Sequence, residues 1–292
     1  MNVRERVGGR SNEGMARRGD KQSGKHGVRE GAPGHGPEIR YRATVEYDGT
    51  DFAGFQLQAG SRTVQGELEA ALARLSNGAR RRVDGAGRTD AGVHATGQVI
   101  AFTYTGRLSA EALAGALNGN LPRDVAIRDV RQVPKGYHPR YAARYREYRY
   151  TVWNGPRSPL RERTTLLVLA PLDTDAMARA ASIFVGRHDF SPFGSAEGHT
   201  IRTVHSIRVR RRGHLVTIDV RADAFLRGMV RRLVAVLLEV GRGEMDEEAV
   251  ARALAGPGPA LAGAAAPAQG LCLRRVALGA MRRKVNGEQE ER

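Results

Sequence analysis

The sequence predicts an α+β protein built from two similar subdomains, each an antiparallel sheet with helices packed against it. Three observations carry this. Between residues 39 and 276, stretches of alternating apolar and polar residues take turns with stretches striped at helical spacing. The links between paired strands are short, as at Arg212-Gly213, which suits antiparallel neighbours rather than crossovers. The order strand, helix, strand, helix, strand recurs after residue 140, and two units of roughly a hundred residues are ordinary domain sizes. No residue-level repeat relates the two.

Order begins near Ile39. Tyr41, Ala43, Val45 and Tyr47 alternate with Arg42, Thr44 and Glu46, the period of a half-buried strand. Asp48-Gly49-Thr50 is a turn signal, and Phe52 to Gln56 follows as a loop with aromatics. Thr63 caps a helix striped by Val64, Leu68, Ala71, Leu72 and Leu75, which Asn77-Gly78 ends. The Gly-rich run from Gly85 to Ala95 feeds a buried strand from Gly97 to Tyr104. Ser109 opens a short helix through Leu113 and Leu117, broken at Leu121-Pro122, and Val125 to Val133 is a further strand. Tyr137-His138-Pro139-Arg140 marks a hinge loop.

In the second half, Tyr145 to Trp153 is a strand with Arg146, Tyr148, Tyr150 and Val152 on one face. Asp173 caps a helix carrying Met177, Ala180, Ala181 and Phe184, and a loop from Gly186 to Phe193 follows. Two strands around Val204–Val209 and Leu215–Val220 precede the longest helix, Phe225 to Val240, on which Arg227 and Arg231 share a face. Asp246 caps a shorter helix. Residues 256–269 are a loop rich in Ala, Gly and Pro, and Leu271 to Val276 is the last strand. The organisation expected is a basic, Gly-rich disordered tail over 1–37, one α+β domain over 38–136, a second over 137–281 and a polar tail over 282–292.

Composition narrows the partner. The formal charge is +16 over 292 residues, which favours a polyanion, with nucleic acid first. The single cysteine, Cys272, forbids an internal disulfide and any cysteine-based zinc site, and a reducing cytoplasm fits. The longest apolar run, Leu233 to Val240, is too short to span a bilayer and is interrupted by Glu239. No histidine pair has HxxxH spacing, and no phosphate-binding GxxxxGK[ST], dinucleotide fingerprint or nucleophile elbow is present. No metal, nucleotide or other cofactor is therefore expected.

What stands out is Asp90, in Gly87-Arg88-Thr89-Asp90-Ala91-Gly92 with no bulky neighbour to shield it. A carboxylate on such a loop is a nucleophile, a base or a turn cap. To attack carbon it must be ionised, which a nearby guanidinium favours, and Arg88 and Arg231 are candidates. Tyr148 and Tyr150, flanked by Arg146 and Arg149, have the character of a base-stacking platform, or else of a core tyrosine pair.

Taken together, these motifs resemble the TruA family of tRNA pseudouridine synthases. The likeness runs through Tyr47-Asp48-Gly49-Thr50, Gly54-Phe55-Gln56, Thr63-Val64-Gln65, the stretch from Gly87 to Ala95 and Gly97-Gln98-Val99. It continues through Tyr137-His138-Pro139-Arg140, Tyr148-Arg149-Tyr150, Gly186 to Phe190, Phe225 to Arg231 and Gly270-Leu271. The resemblance implies the pseudouridine synthase fold with its active-site cleft between the subdomains. It also implies isomerisation of uridine to pseudouridine at positions 38 to 40 of the tRNA anticodon arm, by a homodimer without a cofactor. It implies Asp90 as nucleophile, Arg231 as its partner, Tyr148 stacked on the target base, and Arg88, His94 and Gln98 as further substrate-binding residues. Three features depart from the family: Phe55 replaces a tryptophan, Pro139 an alanine, and the basic N-terminal extension is additional. The charge and the tail leave a second reading, a non-catalytic tRNA-binding protein.

Overall fold

The structure is a computed structural model that describes residues 36–195, 199–256 and 265–279. The polar tail at 282–292 and nearly all of the tail at 1–37 lie outside the described residues, as does much of the 256–269 loop.

β1 (Glu38–Tyr47) buries Tyr41, Ala43, Val45 and Tyr47 on one face, as its alternation requires. α1 (Val64–Leu75) starts at Thr63, whose hydroxyl accepts from the Gly66 amide, and buries Val64, Leu68, Ala71 and Leu72. β2 (Val83–Gly85) and β3 (His94–Thr105) flank the Asp90 loop. α2 (Ala110–Asn120), capped by Ser109, leads to β4 (Val125–Gln132). α3 (Pro139–Ala142) is one helical turn with Pro139 at its start.

The second half repeats the plan. It comprises β5 (Ala143–Trp153), a two-residue β6 (Leu166–Leu167), α4 (Thr174–Ile183), β7 (Gly186–Asp189), β8 (Ile201–Arg212) and β9 (Leu215–Ala222). α5 (Met229–Gly241), α6 (Glu247–Ala255) and β10 (Leu271–Leu278) complete it. Asp173 and Asp246 cap α4 and α6 through side-chain bonds to backbone amides.

The ten strands make one sheet in the order β4-β1-β3-β10-β5-β9-β8-β7, with β2 beside β3 and β6 beside β5. The two halves share an arrangement: β4-β1-β3-β2 in the first matches β10-β5-β9-β8 in the second, all antiparallel. They meet where β10 runs parallel to β3, through two residue pairs, Cys272 with His94 and Leu273 with Ala95. Gly97 lets the strands cross closely there, since a Cβ on it would lie 2.2 Å from the Arg274 carbonyl oxygen. One register row crosses both halves: Val125, Tyr47, Ala95, Leu273, Tyr148, Val220 and Ile207. Paired residues point to one face, so this row carries the apolar core of both halves on the same side of the sheet. Among the described residues, no helix is long and apolar enough to cross a membrane.

Three expectations are corrected. Residues 186–189 form an edge strand rather than a loop, because Gly186 to Asp189 pair with Val204 to Ile201. The hinge loop at 137–140 runs into α3, where Pro139 presets the first helical position and His138 Nδ1 accepts from the Arg140 amide. The long helix begins at Met229, not Phe225. Backbone bonds in both directions between Arg227 and Ser195 hold residues 225–227 out of the helix, and Gly228 turns the chain at φ 72°. Arg227 and Arg231 therefore do not share a helix face.

Candidate active site

Asp90 sits on the loop between β2 and β3, and that loop is docked at both ends. The Ala86 amide donates to the Val99 carbonyl (2.8 Å), the Phe55 amide to Thr89 (3.1 Å) and the Gly92 amide to Phe52 (3.2 Å). The 52–56 loop is in turn tied to the start of α1, where the Val64 and Gln65 amides donate to Gly54 and Phe55. Phe55 is buried, its ring packed against Gly85 and Tyr47, so it fills a core position. Beneath the loop, the Tyr47 hydroxyl and Thr89 Oγ1 are 2.8 Å apart and both residues are buried. Burial pushes the Tyr47 hydroxyl above its ordinary range, so it stays neutral.

The Asp90 side chain caps nothing. Its backbone carbonyl accepts from the Val93 amide, closing the turn, but the carboxylate makes no hydrogen bond among the described residues. Its one ion-pair partner among the described residues is Arg231, with Nη1 at 3.9 Å from Oδ2 and both side chains partly exposed. That spacing is an ion-pair contact, longer than a hydrogen bond, which leaves the carboxylate oxygens open. Arg231 is aimed by its own bonds: Nε–H donates to the Ala266 carbonyl (2.6 Å), and the Ala266 amide donates back to the Arg231 carbonyl (3.1 Å).

Tyr148 lies on the same side. Its ring is buried at 8% exposure and meets Phe225 edge-on, with centroids 5.2 Å apart and planes at 89°. Burial, together with the nearby Asp90 carboxylate, pushes its hydroxyl above the usual tyrosine range. The two tyrosines of β5 thus differ in setting. Tyr150 is a core residue, with no exposure and a hydroxyl donating to the Pro267 carbonyl (2.8 Å), whereas the Tyr148 hydroxyl is near enough to Asp90 to feel its charge.

The remaining predicted residues fall into two settings. Arg88 is exposed and makes no ion pair or hydrogen bond among the described residues. Gln98 is fully buried; its amide donates to the Gly87 carbonyl (2.9 Å) and its oxygen accepts from the Val99 amide (3.1 Å). His94 is also buried, Nδ1 accepting from the Gly49 amide (3.0 Å) and Nε2 meeting the carbonyls of Arg163 (2.8 Å) and Gln269 (3.2 Å). Phe225, the ring beside Tyr148, and the 265–270 segment that orients Arg231 and Tyr150 were not among the expected site residues. Their only sequence signals are membership of the Phe225 to Arg231 motif and the Gly270-Leu271 pair.

Comparison with known proteins places this geometry in context. The sequence matches the family described as tRNA pseudouridine synthase over residues 43–142 and 180–277. A tRNA pseudouridine synthase A of Pelobacter propionicus is 45% identical over 80% of this chain and 98% of its own. Proteins of the same name from Roseiflexus castenholzii and Myxococcus xanthus are 47% and 45% identical, over 80% and 81% of this chain and 88% and 91% of theirs.

Proposed function

Since the chain belongs to the TruA family of tRNA pseudouridine synthases, we propose that it isomerises uridine at positions 38 to 40 of the tRNA anticodon arm, with Asp90 as nucleophile and no cofactor. The observation that carries this is Asp90 itself: an unbonded carboxylate on a loop held rigidly by backbone bonds, 3.9 Å from a guanidinium and beside a buried tyrosine ring.

Uridine and pseudouridine contain the same atoms. The bond from ribose C1′ to N1 of the base breaks, a bond from C1′ to C5 forms, the C5 proton leaves and N1 gains one. Nothing is oxidised or hydrolysed, so the chemistry asks for a nucleophile and a pocket that retains the detached uracil. The target nucleotide must leave its stack, at a cost of a few kcal/mol. Tyr148 offers an aromatic edge beside Asp90 to recover part of that cost, and exposed Arg88 offers a cation to the RNA backbone. Arg231, with Nη1 at 3.9 Å, offers Asp90 a cationic partner. Gln98 contributes by holding the Asp90 loop at the Gly87 carbonyl, and His94 by tying the start of β3 to Gly49, Arg163 and Gln269. The family likeness supports a homodimer working in the cytoplasm, with tRNA laid across both subunits.

The test is pseudouridine mapping on tRNA treated with wild-type, Asp90→Asn and Arg231→Ala proteins. The expected result is modification confined to the anticodon arm and lost in Asp90→Asn, with Arg231→Ala losing far more turnover than tRNA affinity. Wild-type modification by Asp90→Asn would remove the nucleophile from the proposal. A wild-type protein that binds tRNA without modifying it would favour the binding-protein reading.

A further inference from the structure

We propose that Arg146 is a positioning residue, a single guanidinium that fixes the Asp90 loop relative to Tyr148 by gripping three backbone carbonyls. This rests on the reading of Asp90 and Tyr148 given above. Arg146 pairs with Ala222 across β5 and β9, and it lies on the same face of β5 as Tyr148. Its Nη2–H donates to the carbonyl of Ala86 (2.8 Å) and to that of Arg140 (3.2 Å), and its Nη1–H donates to that of Asp223 (2.6 Å).

Each of these carbonyls opens a different part of the site. Ala86 begins the loop that carries Asp90, and its own amide is fixed to Val99. Asp223 begins the stretch leading to Phe225, the ring packed on Tyr148. Arg140 belongs to α3, which joins the two halves of the chain. The guanidinium thus joins the carboxylate's loop, the aromatic pair and the inter-half turn from a strand position two residues before Tyr148.

The choice of side chain matters. Arg146 forms no ion pair among the described residues, and burial lowers its pKa from the usual arginine value. A partly buried cation that no carboxylate meets at ion-pair distance is a poor source of stability, so geometry is what this residue supplies. A planar fork reaches carbonyls on several sides at once, whereas a lysine ammonium is a single point at the end of a flexible stem.

The experiment compares full-length wild type with Arg146→Lys and Arg146→Met; the lysine variant keeps the charge and guards against failure of the methionine variant to fold. Single-turnover pseudouridine formation should fall about 100-fold in both, the size expected of a misplacement near 1 Å. Affinity for tRNA, measured in an Asp90→Asn background, should not change. Hydrogen exchange at the Ala86, Gly92 and Val93 amides should accelerate. A wild-type rate in Arg146→Lys would overturn the proposal, and so would a loss of affinity as large as the loss of rate, which would make Arg146 an RNA contact. Unchanged exchange at those three amides would overturn it without reference to turnover. Because exchange needs no catalysis, it decides the clamp even where an active Asp90→Asn protein has already sunk the proposed function.

Discussion

Asp48, His94 and Arg163 form a chain of polar contacts beside the Asp90 loop. Asp48 Oδ1 accepts from the Thr50 amide (3.1 Å) and hydroxyl (2.6 Å) and lies 3.1 Å from His94 Nδ1, while Oδ2 meets Arg163 Nη2 at 2.9 Å. Burial alone would raise the Asp48 pKa. The Thr50 bonds, the His94 ring and the Arg163 guanidinium outweigh it and hold the carboxyl below the usual range. A carboxyl depressed in the folded state stabilises above its unfolded pKa of about 4, and that stability is lost as pH falls through the folded value. Asp48→Asn should therefore melt below wild type at pH 7, with the gap closing below about pH 4. Melting curves at both pH values check this, and a gap that persists in acid would show that the effect is not ionic. Arg146 and Arg88 show the limit of sequence reading at this scale. Both are arginines beside a motif, yet one is clamped on three carbonyls and the other is exposed, and only the fold separates them.

Elements set by local chemistry were legible. Thr63, Ser109, Asp173 and Asp246 each precede an apolar stripe, and each caps the helix that follows it. Elements set by distant backbone were not: β7 exists because β8 pairs with it, and α5 starts late because Ser195 holds Arg227. The Asp90 loop combines both kinds. Its small residues mark it in the sequence, but its position depends on the 52–56 loop. Gly54 has φ 108°, and a Cβ there would lie 2.8 Å from the Thr89 carbonyl oxygen. Gly54→Ala should then strain the backbone by about 1–3 kcal/mol and push the Asp90 loop aside. The expected outcome is a lowered melting temperature with a fall in turnover of tenfold or more, on the order of the cost of misplacing a reacting group. An active, equally stable Gly54→Ala protein would mean that the loop finds its place without this contact.

At the scale of the whole molecule, charge and topology matter most. The excess of +16 predicts that tRNA affinity falls steeply with salt, by roughly a thousandfold between 50 and 200 mM if six or more phosphates are neutralised. Residues 1–37 hold eight Lys and Arg against four Asp and Glu, so most of the excess lies elsewhere. Removing residues 1–37 should leave the modification rate and most of the salt slope in place; filter binding across a salt series checks this, and loss of the slope would assign tRNA binding to the tail. The arrangement of the sheet was legible as two alternating halves, whereas the two-residue parallel seam between β3 and β10 has no local signature. That seam bears on how the protein is made. A ribosome delivers β3 and β5 long before β10, so the newborn chain holds two half-sheets whose facing edges are paired only in part, by the short strands β2 and β6. Open edges invite wrong pairings, which makes this interval the time when a chaperone is most useful. Asp90 and Tyr148 are joined into one sheet only when β10, which ends at Leu278, leaves the exit tunnel, so synthesis itself times the assembly of the proposed site.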